Sequence, residues 1–176
     1  GNTTCYGAIW GDHFYLISKQ GNRLVIADAQ NLKSKKIITD LGGDGRSFVG
    51  IDEKKAYIGY NGGIKTFNIE NLTLGEAIAG VSGEIGNMCY AYGKVFAVSD
   101  ENLYIIDAKT DKVEKTVTGS YDTYKSVVTA KDGSVWVATV NKFIVYNPND
   151  LENTKEIAYP GNAAVSSSWG SWNPGG

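Results

Sequence analysis

Apolar and polar residues alternate along this chain in short runs of five or six, and the runs recur. Four segments line up: Leu24-Val25-Ile26-Ala27-Asp28, Ile64-Lys65-Thr66-Phe67-Asn68, Leu103-Tyr104-Ile105-Ile106-Asp107 and Phe143-Ile144-Val145-Tyr146-Asn147. Their closing Asp or Asn residues are 40, 39 and 40 positions apart. A second ladder, Tyr15, Tyr57, Phe96 and Trp136, advances by 42, 39 and 40. Runs of this length with alternating apolar positions predict strands, and no window carries a helical period. In the third repeat the predicted strands are 88–92, 95–99, 103–108 and 113–118. In the fourth they are 126–130, 135–140, 143–146 and 156–159. Gly93-Lys94, Asn61-Gly62-Gly63 and Asp132-Gly133 suit tight hairpins. The recurring Asp or Asn is expected to cap the turn after the third strand with its side chain.

Four antiparallel strands repeated about every 40 residues are the pattern of a β-propeller blade, an all-β architecture. The blades cover about residues 5–41, 47–80, 87–119 and 125–160, and residues 161–176 open like a further one. Propellers close with four to eight blades. Three readings follow: a segment of a longer propeller, a closed four-bladed ring, or two chains pairing as a homodimer to complete eight blades. An unclosed stack exposes the apolar faces of its end blades, so a partner surface is expected there.

Composition narrows the function classes. The 17 Lys and Arg against 19 Asp and Glu leave a net charge of -2, which speaks against a nucleic-acid partner. No apolar run approaches the roughly 20 residues of a membrane-spanning helix. His13 is the only histidine, it adjoins the Gly11-Asp12 turn, and no nucleophile elbow accompanies it. One His with two distant cysteines, Cys5 and Cys89, is not a zinc set. The two cysteines are expected to be small buried thiols rather than a disulfide. Gly42-Gly43-Asp44-Gly45-Arg46-Ser47 resembles a phosphate loop only superficially, since it lacks the lysine and the following helix. No catalytic residue, metal ligand or cofactor is therefore assigned.

Ligands of propellers favour the face built by the loops between successive blades and by the turns between second and third strands. Here those loops gather Asp44, Arg46, Glu84, Asn87, Tyr121, Tyr124 and Lys125, with Trp169 and Trp172 just beyond. Tyrosine and tryptophan offer flat apolar area with a polar handle, suited to a large planar ligand or a protein surface. The competing reading makes the tyrosines turn shields and the two tryptophans blade core.

The run Ile105-Ile106-Asp107-Ala108-Lys109-Thr110-Asp111-Lys112-Val113 resembles the blades of surface-layer-like propellers. Gly45-Arg46-Ser47-Phe48-Val49-Gly50, Ile85-Gly86-Asn87-Met88, Lys131–Ala138 and Ser168-Trp169-Gly170-Ser171-Trp172 are similar, more closely, to a family of Bacteroidetes propellers known as a domain of unknown function. The resemblance covers nearly the whole chain. It implies a secreted or surface-anchored protein, usually a lipoprotein, with a ring of about seven blades. Some members of the wider family capture vitamin B12 and related corrinoids and pass them to an outer-membrane transporter. The expected function is thus non-catalytic binding of a small organic ligand, with a corrinoid as the named guess. The alternatives are a protein-interaction scaffold at the cell surface and, with the thinnest residue support, a cofactor-dependent enzyme.

Overall fold

Sixteen strands form four separate sheets, each drawn from one uninterrupted stretch of chain. The computed structural model describes residues 5–18, 22–121 and 123–162. The first sheet holds β1 (Cys5–Trp10), β2 (His13–Ser18), β3 (Arg23–Asp28) and β4 (Ser34–Ile38). The second holds β5 (Gly45–Gly50), β6 (Lys55–Tyr60), β7 (Gly63–Asn68) and β8 (Thr73–Ala77). The third holds β9 (Asn87–Ala91), β10 (Lys94–Val98), β11 (Asn102–Asp107) and β12 (Lys112–Thr118). The fourth holds β13 (Tyr124–Thr129), β14 (Val135–Thr139), β15 (Lys142–Asn147) and β16 (Asp150–Ala158). Every pairing is antiparallel between neighbours in sequence. The predicted blades of a propeller are therefore present. The only helical turn among the described residues is the short Pro160–Asn162.

The sheets pack face to face in chain order, with the leading strands side by side: β5 against β1 and β2, β9 against β5, β13 against β9 and β10. Strand alternation makes each sheet apolar on both faces, so each interface is a dry layer. Tyr15, Ile17, Leu24 and Ile26 meet Ala56, Ile58 and Phe67 of the second sheet. Tyr57 and Ile64 meet Val95, Ala97, Tyr104 and Ile106 of the third. Phe96, Val98, Leu103 and Ile105 meet Val127, Val135, Val137 and Tyr146 of the fourth. The aromatic ladder thus marks the face that each sheet turns towards its successor. Tyr15, Tyr57 and Phe96 are each 0% exposed, whereas Trp136 is 36% exposed. The stack does not close into a ring among the described residues, and no further described sheet packs on Trp136. Outer strands are the most solvated, as the exposed-to-half-buried alternation along β12 shows.

The ladder of Asp and Asn caps turns as expected. Asp28 Oδ1 accepts the Gln30 and Asn31 amides at 2.8 and 3.2 Å, and Asp107 Oδ1 accepts those of Lys109 and Thr110 at 2.8 and 3.2 Å. Asn68 and Asn147 accept the amides of Asn71 and Asn149, each at 2.9 Å. Hydrogen bonds to the carboxylate form hold Asp28, chiefly through Asn31, and Asp107, chiefly through Lys109, below the ordinary 3.8. A depressed carboxyl contributes stability above its unfolded pKa and loses it as pH falls. Urea midpoints should therefore be flat near neutrality and fall below about pH 4. Asp107→Asn keeps the acceptor, as Asn68 and Asn147 do natively, and should flatten that acid limb. An acid limb unchanged by Asp107→Asn and Asp28→Asn together would show that these turns do not carry it.

Two expectations are corrected. The last strand of the fourth repeat begins at Asp150, not near Glu156; most of its nine residues are exposed, so no apolar alternation announces it. Cys89 is buried, and burial pushes its thiol up to about 11, but Cys5 is exposed. Cys5 lies on the outward face of the first sheet, which no neighbour covers. Both thiols are free.

Candidate functional site

The loops that join one sheet to the next, residues 39–44, 78–86 and, as far as they are described, 119–121 and 123, emerge at the same end as the turns between second and third strands. At this end a hollow of about 250 Å³ opens between Ser82, Glu84, Ser99, Asp100, Asn102 and Tyr121. Its floor is tied by polar contacts. The Tyr104 hydroxyl donates to the Ser82 carbonyl at 3.1 Å and accepts from Asn102 Nδ2 at 3.3 Å. Thr118 Oγ1 donates to Asn102 Oδ1 at 2.8 Å, and the Asn102 amide donates to Ser99 Oγ at 3.1 Å. A turn fixed in this way presents Asp100 and Glu101 without needing to reorganise for a ligand.

Beside the hollow stands Arg46. A register shift between Gly45 and Ser47 places it at a bulge, where the chain turns a side chain out of the ladder. Lys125 occupies the matching bulge of the fourth sheet, between Tyr124 and Ser126. Arg46 is only 7% exposed. Its Nε donates to Glu84 Oε1, its Nη2 lies 3.7 Å from Asp44 Oδ2, and its buried Nη1 has no hydrogen-bond partner. One guanidinium between two carboxylates leaves a net negative cluster. Glu84, Asp100 and Glu101 line the hollow beside it, so its rim is rich in acceptors and suits a ligand that brings N–H or O–H groups.

The predicted residues separate into three groups. Asp44, Arg46 and Glu84 come together as one ion cluster, and Glu84 and Tyr121 both line the hollow. Tyr121 is 78% exposed, free to lie against a ligand. Asn87 is occupied differently: its Oδ1 accepts from the Val127 amide at 2.7 Å and from Ser126 Oγ at 3.1 Å, bridging third and fourth sheets. Tyr124 is buried in the core between those sheets, so it shapes the interface and does not meet the hollow. Lys125 is half-buried at its bulge. Trp169 and Trp172 lie outside the described residues. Sequence reasoning did not single out Ser82, Ser99, Asp100 or Asn102. The turn 100–102 lies between a second and a third strand, and nothing local separates it from the other hairpin turns. His13 sits at the opposite end of its sheet, with Nε2 3.2 Å from Lys35 Nζ. No group of three His, Cys, Asp or Glu among the described residues could hold a metal ion.

No curated protein matches the sequence. In shape, 919 solved chains match it, so the fold is widespread and by itself carries no activity. One of them is a hydrazine synthase chain of Kuenenia stuttgartiensis, 11% identical, with a TM-score of 0.70. The match covers 84% of this chain and 47% of that one, so the protein spans about half the length of this neighbour. At that identity the likeness shows a propeller-type fold alone. The family model of a domain of unknown function, DUF5074, matches residues 1–176, and the protein belongs to that family.

Proposed function

We propose that this propeller is a non-catalytic binding module that takes a donor-rich organic ligand at its linking-loop end. The observation that carries the reading is the hollow at Ser82–Glu84 and Asp100–Asn102, with its fixed polar floor, its carboxylates and the exposed ring of Tyr121 beside it. Amides, amines and hydroxyls of a ligand would donate to Glu84, Asp100 and Glu101, while Tyr121 supplies flat apolar contact. A corrinoid is the named case, because primary amides edge its flat macrocycle. A corrinoid exceeds a hollow of about 250 Å³, so it would rest across the loops with only an edge inside. The proposed setting is the cell surface, with an outer-membrane transporter as recipient; the resemblance to surface propellers supports that part.

Cyanocobalamin mixed with the full chain should travel with it in sizing chromatography, read by visible absorbance. Tyr121→Ala should weaken binding about tenfold, the loss of one aromatic contact. Asp100→Asn with Glu101→Gln should weaken it further. Colour eluting wholly apart from the protein sinks the corrinoid case. Binding that ignores all three substitutions removes the linking-loop end from consideration.

A further inference from the structure

A charge held partly out of water needs a partner. Four half-buried lysines show the rule. Lys55 meets Asp111 at 2.5 Å, Lys94 meets Glu114 at 2.7 Å, and Lys115 and Lys142 meet Glu152 and Glu156, each at 3.0 Å. Lys65 is also half-buried, yet among the described residues its ammonium has no carboxylate partner and no hydrogen-bond acceptor. Its Nζ lies over the Tyr60 ring instead, 5.3 Å from the centroid, a contact that offsets only part of the lost hydration. By register Lys65 stands where the third sheet has Tyr104, and the turn Tyr60-Asn61-Gly62-Gly63 stands where it has Ser99-Asp100-Glu101-Asn102. The two places differ in sign, because Asn61 and Gly62 carry no charge where Asp100 and Glu101 are both acidic. Asp44, the acid of the linking loop beside Lys65, faces Arg46 at 3.7 Å and does not pair with the lysine.

The backbone around this lysine is shaped by glycine. A Cβ on Gly42 would fall 2.7 Å from Lys65 Nζ, so the ammonium rests against that loop only because residue 42 has no side chain. A Cβ on Gly43 or Gly62 would come within 3.3 Å of the Tyr60 ring, so the ring is seated on bare backbone. Gly42 is exposed, and its amide has no acceptor among the described residues. We infer that Lys65, with the Gly42 amide beside it and the Tyr60 ring against it, is an oxyanion site that takes a carboxylate or phosphate group of a ligand. The ammonium supplies charge and three donors, and the loop amide adds a donor of fixed direction. In the third sheet the Tyr104 hydroxyl meets its own linking loop at the Ser82 carbonyl, which leaves nothing over for an anion. The oxyanion site is thus one blade away from the hollow and opposite to it in charge, and it does not require a ligand in the hollow.

Inorganic phosphate and acetate, titrated separately into the isotope-labelled full chain at fixed pH and ionic strength, test the site by amide NMR. The Gly42 and Lys65 resonances should move saturably in the millimolar range, beyond any shift that sodium chloride produces. Lys65→Gln should weaken the effect about tenfold, the loss of one charge-assisted contact. Lys65→Arg should restore most of it. Unmoved resonances for Leu103–Ile106 would show that both variants keep the fold. A response to phosphate alone assigns the site to phosphoryl groups, and a response to both ions assigns it to carboxylates as well. Resonances that follow neither ion beyond the chloride control overturn the site. So does a Lys65→Gln variant that titrates like the parent. Cyanocobalamin takes no part in this measurement, so the oxyanion site and the corrinoid case can fail separately.

Discussion

Phe96→Ala lowers the unfolding free energy by about 3–5 kcal/mol, the usual loss when a fully buried aromatic becomes a cavity. The side chain sits at the centre of the interface between third and fourth sheets, with its ring 5.9 Å from that of Tyr146. Neighbours from two sheets line the vacated space, and strand hydrogen bonds hold both sheets, so collapse into the cavity is limited. Trp136→Ala, at the equivalent rung, should cost clearly less, about 2 kcal/mol. Trp136 keeps an edge contact with Phe143 at 5.7 Å and donates from Nε1 to Ser134 Oγ at 3.2 Å. Its outward surface, however, is already in water. Urea melts of both variants decide the matter. Equal losses would show that Trp136 is as enclosed in solution as Phe96, and its open outward face would have to be abandoned.

Gly59→Ala should cost about 2–3 kcal/mol, although the equivalent positions carry Ile17, Val98 and Ala138. The reason is a contact peculiar to the second interface. Ser47 Oγ donates to the Ile85 carbonyl at 2.6 Å, and the backbone of residue 59 runs directly beneath that bond. A Cβ built on Gly59 falls 2.1 Å from Ser47 Oγ and 2.8 Å from the Ile85 oxygen. The Ile85 amide is in turn anchored on the Tyr60 carbonyl at 3.1 Å, so the loop cannot simply retreat. Ser47→Ala alone should cost about 1 kcal/mol for the lost hydrogen bond. Combined with Gly59→Ala it should cost clearly less than the sum, because the hydroxyl that clashes is gone. Strict additivity in the double-mutant cycle would mean that the two side chains do not compete for one space.

The repeat was readable because both of its markers answer to geometry that every blade shares. An Asp or Asn must cap each turn after the third strand, and an aromatic residue must fill the face that each sheet turns towards its successor. What the sequence hid lay where blades differ. The sequence places Arg46 on a linking loop, but it is buried and held by Glu84, 38 residues away. Tyr121 and Tyr124 are three positions apart and look alike, yet a bulge and the start of β13 send one to solvent and the other to the core. The hollow forms between a linking loop and a hairpin turn, and neither its volume nor its floor through Tyr104 has a local signature. The exposed residues of β16 carry no alternation, so the pattern predicts only its end.

The solvated outer strands bear on aggregation. Each ends its sheet with a free edge, and a free edge can recruit a strand from another molecule. Lys35 and Lys36 guard β4, Lys112, Glu114 and Lys115 guard β12, and Glu152, Lys155 and Glu156 guard β16. On β8 the sole charge is Glu76, in the run Thr73-Leu74-Gly75-Glu76-Ala77. The rim of the second blade is therefore the least guarded of the four edges against strand addition by another molecule.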